Sequence, residues 1–175
     1  IGVKKMYNVE FKNNNAYIKG IEHFDLKNTL DCGQAFRWEC NENEIWHGVA
    51  NGIYLELTKL DDGTIVLYNT DENTFNSVWS NYFDLDRNYN EIIEAIKGNE
   101  ILKNASEFGK GIRVLNQEPW ETLCSFIISQ NNNIKRIKGI IKTLCENFGE
   151  PIENGYTFPN AEKLAKLTLE DLSVL

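Results

Sequence analysis

Apolar and polar positions alternate through the first seventy residues and then give way to a longer period. Residues 7–11 and 16–18 are short alternating runs separated by Asn13-Asn14-Asn15, a composition that favours a turn, so a hairpin is predicted there. Residues 25–31 read as a short helix. Four further runs, 35–40, 44–50, 53–59 and 64–68, place apolar side chains at every second position, with Asn51-Gly52 and Asp62-Gly63 as turn signals between the later ones. Since side chains alternate between the two faces of a strand, these runs predict an antiparallel sheet with one face buried.

Beyond Thr70 the spacing becomes helical. Thr74, Phe75, Val78, Trp79 and Tyr82 fit one helix; Tyr89, Ile92, Ile93 and Ile96 fit a second that stops at Gly98; Ile101, Leu102, Ala105 and Phe108 fit a third that stops at Gly109. Pro119 opens the next, where its missing amide hydrogen costs little, and Trp120, Leu123, Cys124, Ile127 and Ile128 follow as a buried stripe, with Phe126, Ile127 and Ile128 expected in the core. Ile134, Ile137, Ile141, Leu144, Cys145 and Phe148 mark a further helix that ends at Gly149, with Pro151 after it. Residues 160–166 and 169 onward start two more, and the last stops before anything covers Leu172, Val174 and Leu175. The expected architecture is α+β: an antiparallel sheet domain over residues 1–70, then an all-α domain over 71–175 that is the first part of a longer unit.

Composition narrows the class. With 42% hydrophobic residues in 175, a sizeable core can form. No run of eighteen apolar residues exists and residues 1–10 lack the apolar block of a signal peptide, so an intracellular protein without a membrane partner is expected, in cytoplasm or nucleus. Cys32, Cys40, Cys124 and Cys145 show no C-x-x-C or regular close spacing, and His23 and His47 lie in no ligand pattern, so the thiols are read as reduced and neither metal nor cofactor is expected. The net charge of −8 runs against nucleic-acid binding, but its distribution is uneven. Between residues 110 and 143, Lys110, Arg113, Lys135, Arg136, Lys138 and Lys142 face only Glu118 and Glu121, a local basic stretch that could contact phosphates.

Two segments carry candidate chemistry. Cys32-Gly33-Gln34-Ala35-Phe36-Arg37-Trp38 puts a glycine before a polar, aromatic and basic strand, and Ser129-Gln130-Asn131-Asn132-Asn133-Ile134-Lys135-Arg136-Ile137 puts three asparagines at a helix junction before two basic residues. In this order they resemble the 8-oxoguanine DNA glycosylases, whose signatures read GQ-x-FRW and NNN-I-x-RI. The likeness extends through Phe24-Asp25-Leu26, Tyr82-Phe83-Asp84-Leu85-Asp86, Gly111-Ile112-Arg113-Val114-Leu115 and Pro119-Trp120-Glu121. Taken alone, the asparagines read as a capped interhelical turn, Gly33 as a tight turn, and Arg136 as a solvated surface charge.

The resemblance implies more. An enzyme acting on a base flips it out of the duplex, leaving a gap and an orphaned partner. By resemblance Asn131 fills that gap and contacts the estranged cytosine, and Arg136 donates to the same base. Asn132, Asn133, Lys135 and Lys138 are candidate DNA-backbone contacts, Lys135, Lys138 and Lys142 being equally readable as plain surface charge. Gly33 would present its carbonyl to the N7 hydrogen that 8-oxoguanine has and guanine lacks. Phe36 and Trp38 are expected to pack inward and Arg37 to face away. The family's catalytic helix-hairpin-helix, with its nucleophilic lysine and its aspartate, matches nothing up to Leu175, so no catalytic residue is assigned within the chain, and the 175 residues alone are expected to be inactive.

The implied function is base-excision repair: removal of 8-oxoguanine opposite cytosine in double-stranded DNA, with AP lyase activity in the complete protein, acting as a monomer. Two rivals stand beside it. One is a non-catalytic damage-sensing DNA-binding module; the other is an alkylated-base glycosylase of the same superfamily, which the GQ-x-FRW signature disfavours.

Overall fold

The computed structural model describes residues 6–175; the first five residues of the 1–70 unit lie outside the described residues. Six antiparallel strands, β1 (Asn8–Lys12), β2 (Asn15–Lys19), β3 (Trp38–Cys40), β4 (Trp46–Ala50), β5 (Ile53–Lys59) and β6 (Ile65–Leu67), form one sheet in the order β1-β2-β6-β5-β4-β3. Local turn chemistry sets the register. Asn13 and Asn14 both adopt positive φ, 51° and 59°, and Lys12 pairs with Asn15; Asn51 and Gly52 do the same at 51° and 73°, and Ala50 pairs with Ile53. Such two-residue turns match the twist of the flanking strands, and asparagine and glycine tolerate the left-handed conformation they need.

Between the hairpins runs α1 (Leu26–Leu30), capped by Asp25, whose carboxylate accepts from the Asn28 amide at 2.8 Å. After the sheet, α2 (Glu72–Thr74) passes through a widened π turn (Phe75–Trp79) into α3 (Ser80–Tyr82) without a break. Then follow α4 (Tyr89–Ile96), α5 (Glu100–Phe108), α6 (Pro119–Ser129), α7 (Ile134–Phe148), a small hairpin of β7 (Pro151–Ile152) and β8 (Gly155–Tyr156), α8 (Ala161–Leu164) and a terminal 3-10 turn (Asp171–Val174).

The principal core crosses the division at residue 70. Ala16, Ile18, Leu55, Leu57, Ile65 and Leu67 from the sheet pack with Phe75, Trp79, Tyr82 and Phe83 from the helical segment and with Trp38. The Trp38 indole donates to the Tyr82 hydroxyl at 2.9 Å, which satisfies the one polar atom that burying this ring would otherwise orphan. Gly48, paired with Trp38, has no room for a side chain: a Cβ there would lie 2.4 Å from the Arg37 carbonyl oxygen. A smaller second core joins Ile137, Ile141 and Cys145 of α7 to Phe36, Ile128 and Phe158.

Several expected apolar stripes are not covered. Helices α4 and α5 form where the period places them, yet Ile92, Leu102, Ile101 and Phe108 are exposed, Phe108 to 94%. In α6 only Ser125 is fully buried. Ile128 meets α7, but Leu123, Phe126 and Ile127 lie on the open side, Phe126 at 64% exposure, so the expected core placement holds for Ile128 and fails for Phe126 and Ile127. Periodicity reports which face is apolar; it does not say whether a neighbour lies against that face.

Candidate nucleic-acid interface

The run 31–37 is an irregular loop rather than a strand. The expected strand over 35–40 is confined to Trp38–Cys40, and the reason is Gln34. Its amide nitrogen donates to the Thr29 and Arg113 carbonyls at 2.9 and 2.8 Å, its side-chain oxygen accepts from the Leu115 amide at 3.0 Å, and its own carbonyl accepts from the Gln117 side chain at 2.5 Å. This one residue ties the loop to residues 113–117 in place of strand pairing. Gly33 stands just before it at φ 88°, exposed, with no atom within 4 Å of where a Cβ would be. The glycine is required by its backbone conformation, not by lack of space for a side chain.

Arg37 does not face away. Its guanidinium pairs with Glu121 of α6 at 3.3 Å and donates to the Tyr156 carbonyl of β8, both side chains of the ion pair being largely buried. Burial pushes the Glu121 carboxyl above the usual range, and Arg37 opposes that shift. Phe36 packs into the α7 core. Phe36 and Trp38 pack inward as expected, and only the outward direction expected of Arg37 fails, because 35–37 is not a strand.

The α6–α7 junction separates the three asparagines into three different situations. Asn133 caps α7, its side-chain oxygen accepting from the Arg136 amide at 3.0 Å. Asn132 closes α6, its amide donating to the Ile128 carbonyl at 2.7 Å. Asn131 adopts a left-handed conformation at φ 56° and is exposed. Both Asn132 and Asn133 are thus engaged in fixing the turn that presents Asn131. Lys135 and Arg136 are exposed on the first turn of α7, while Ile137 and Ile141 anchor the opposite side of the helix.

The basic stretch is smaller than its sequence suggests. Arg113 is buried: it donates to the Asp84 and Glu22 carbonyls at 2.6 and 2.9 Å and lies 4.5 Å from the centre of the Tyr89 ring, so it reaches no phosphate. Lys138 points back to the sheet, donating to Asp31 at 3.2 Å and to the Trp38 carbonyl at 3.1 Å. Lys142 lies 4.0 Å from Glu146. Lys135 and Arg136 form no ion pair among the described residues.

No group of three His, Cys, Asp or Glu side chains among the described residues is placed to hold a metal ion. Burial pushes the Cys145 thiol up to about 11 and raises that of Cys124, the wrong direction for a nucleophile. A cavity of about 260 Å³ lies between the sheet, α7 and β8, lined by Phe36, Arg37, His47, Tyr54, Cys145 and Tyr156 among others, and none of Gly33, Asn131 or Arg136 lines it. No helix of the described residues is long and apolar enough to cross a membrane. Gln34 and Glu121 are the positions that motif reading left without a role. The signal was a glutamine beside a glycine at the start of an irregular segment, and one of two acids in an otherwise basic stretch.

Comparison with known proteins bears on this geometry. An N-glycosylase/DNA lyase of Saccharomyces cerevisiae is 31% identical, over 83% of this chain and 43% of its own length. The 8-oxoguanine glycosylase/lyase of Clostridium acetobutylicum in its apo-form superposes with a TM-score of 0.91 at 40% identity, covering 95% of this chain and 60% of that one. The same enzyme in complex with dsDNA containing cytosine opposite to 8-oxoG gives 0.91 at 39% identity, covering 97% and 59%. The chain therefore spans less than two thirds of each relative's own length. Residues 124–175 match the HhH-GPD superfamily of base excision DNA repair proteins, and residues 16–123, most of the sheet and the helices packed on it, match the N-terminal domain of 8-oxoguanine DNA glycosylase, the family to which this chain belongs.

Proposed function

We propose that the complete protein removes 8-oxoguanine paired with cytosine from double-stranded DNA and cleaves the resulting abasic site by β-elimination, acting as an intracellular monomer in cytoplasm or nucleus. The observation that carries this reading is the junction at residues 131–136: two asparagines are spent on the turn, leaving Asn131 and Arg136 exposed at the start of α7. Asparagine is short and offers both donor and acceptor to a base edge, which suits a gap left by a flipped nucleotide. An arginine beside it can donate to the acceptors of an estranged cytosine and pairs poorly with thymine or adenine.

Gly33 supports lesion selection. Its carbonyl would accept from the N7 hydrogen of 8-oxoguanine and face the N7 lone pair of guanine, a difference of about 1–3 kcal/mol for one unsatisfied buried group. Lys135 is the exposed cation best placed for a phosphate. Asn132, Asn133 and Lys138 already hold the turn and the loop, and each keeps a further N–H that could donate to a backbone phosphate.

The chemistry completes the reading. A lysine amine attacks the sugar C1′, the glycosidic bond breaks and the base departs with a proton; the C1′–O4′ bond then opens, O4′ taking a proton, to give a Schiff base, and loss of a C2′ proton from it breaks the C3′–O bond. No residue of 1–175 is assigned these steps; the names of the yeast and Clostridium relatives, which join glycosylase to lyase, support them. Borohydride trapping tests the proposal. The complete protein, incubated with a duplex carrying one 8-oxoguanine opposite cytosine, is expected to give a covalent adduct. Lesion-selective binding without an adduct would favour a damage sensor instead.

A further inference from the structure

Lys138 is spaced like a phosphate contact and does something else. Residues 32–37 run as an irregular loop from Asp31, the residue that closes α1, to Trp38, where β3 begins. The Lys138 ammonium donates to both ends of this loop, to the Asp31 carboxylate at 3.2 Å and the Trp38 carbonyl at 3.1 Å. Trp38 is itself immobilised by its bond to Tyr82 and by the close approach of Gly48. Lys138 follows Arg136 by two positions on α7, which on a helix puts the two side chains on roughly opposite sides: one toward the sheet, the other toward solvent.

We propose that Lys138 is a positioning residue that fixes the Gly33 loop relative to α7, so that the groups facing the lesion and the orphaned cytosine are held in one frame. The inference rests on the assignment of Gly33 and Arg136 given under the proposed function. A carbonyl that selects by a single hydrogen must be held to within a fraction of an ångström, because a displaced one accepts from neither base well. The loop has no strand partner of its own; Gln34 anchors it to Thr29 and residues 113–117, and Phe36 packs on Ile137, Ile141 and Cys145 of α7. Lys138 adds the polar tie between α7 and the two ends of the loop.

The test uses the complete protein with Lys138→Met, which keeps the length of the stem and removes the charge, Lys138→Arg and Asp31→Asn. Affinity for duplexes with 8-oxoguanine or guanine opposite cytosine is measured across a salt series, alongside the thermal midpoint. We expect Lys138→Met to lose about three- to tenfold in lesion-over-guanine preference, the size of one weakened hydrogen bond. The salt dependence should be unchanged, with preference largely restored in Lys138→Arg and partly lost in Asp31→Asn. An equal loss on both duplexes, with the slope of log affinity against log salt smaller by about 0.9, would make Lys138 a phosphate contact and overturn the proposal. So would a lowered thermal midpoint with preference intact. A parent protein with no preference for the lesion would instead refute the reading of Gly33, before any variant is compared.

Discussion

The sheet with its aromatic helix and the α6–α7 pair solve opposite problems. In the first, Trp38, Trp79, Phe75 and Phe83 are almost wholly buried and every hairpin is set by local turn chemistry. In the second, Ile137, Ile141 and Cys145 make a small core, and Leu123, Phe126, Ile127, Ile134 and Arg136 remain exposed. If the α6–α7 pair contacts DNA as proposed, the side chains it presents cannot also be buried. The α6–α7 pair is held instead by polar ties to the rigid part: Arg37 to Glu121, and Lys138 to Asp31 and Trp38. Most of the buried apolar surface lies in the first region and the exposed candidate contacts of α7 in the second, with the loop 31–38 joining them.

The widest separation should come from Trp38→Ala, which removes a large buried ring and orphans the Tyr82 hydroxyl; a loss of about 3–5 kcal/mol in urea unfolding is expected. A loss below 1 kcal/mol would mean the ring does not hold the sheet to α3. Next is Arg37→Leu, which leaves the Glu121 carboxylate largely buried without its partner. The cost should be near 3 kcal/mol and should shrink markedly in the double variant with Glu121→Met, since the penalty belongs to the unpaired charge. Additive costs would show that the two side chains do not interact.

A smaller effect divides the asparagine run itself. Asn133→Ala should cost about 1 kcal/mol through loss of the α7 cap, whereas Asn131→Gly keeps the left-handed backbone and should leave stability within about 0.5 kcal/mol. Equal destabilisation would remove the distinction between a residue that builds the turn and one that the turn presents. At the bottom of the scale, Phe108→Ser on α5 should change stability by less than about 0.5 kcal/mol, because the ring is exposed.

These contrasts also mark what could be read from the amino-acid pattern. The hairpins at Asn13-Asn14 and Asn51-Gly52 were legible because their cause is local, as were the starts of α1 and α6 at Asp25 and Pro119. The inward turn of Arg37 was not, because alternation presumes a strand, and Gln34 makes bonds that replace the strand. Arg113 read as part of a basic surface, yet its partners are carbonyls at residues 22 and 84, far away in sequence. The short β7–β8 hairpin carried no alternating run long enough to register. The family resemblance singled out Gly33, Asn131 and Arg136 as candidates; only side-chain geometry separated Asn131, exposed in its left-handed turn, from its two structural neighbours.

The central claim, that Asn131 and Arg136 read the base opposite the lesion, is tested most directly by single-turnover excision of 8-oxoguanine opposite each of the four bases. Asn131→Gly and Arg136→Ala would be compared with the parent in the complete protein. The account predicts a parent that prefers cytosine and an Arg136→Ala variant whose preference falls by about 1–3 kcal/mol, mainly through slower excision opposite cytosine. Asn131→Gly should lose rate opposite every base, because the gap is left unfilled. An opposite-base profile unchanged in both variants would contradict it.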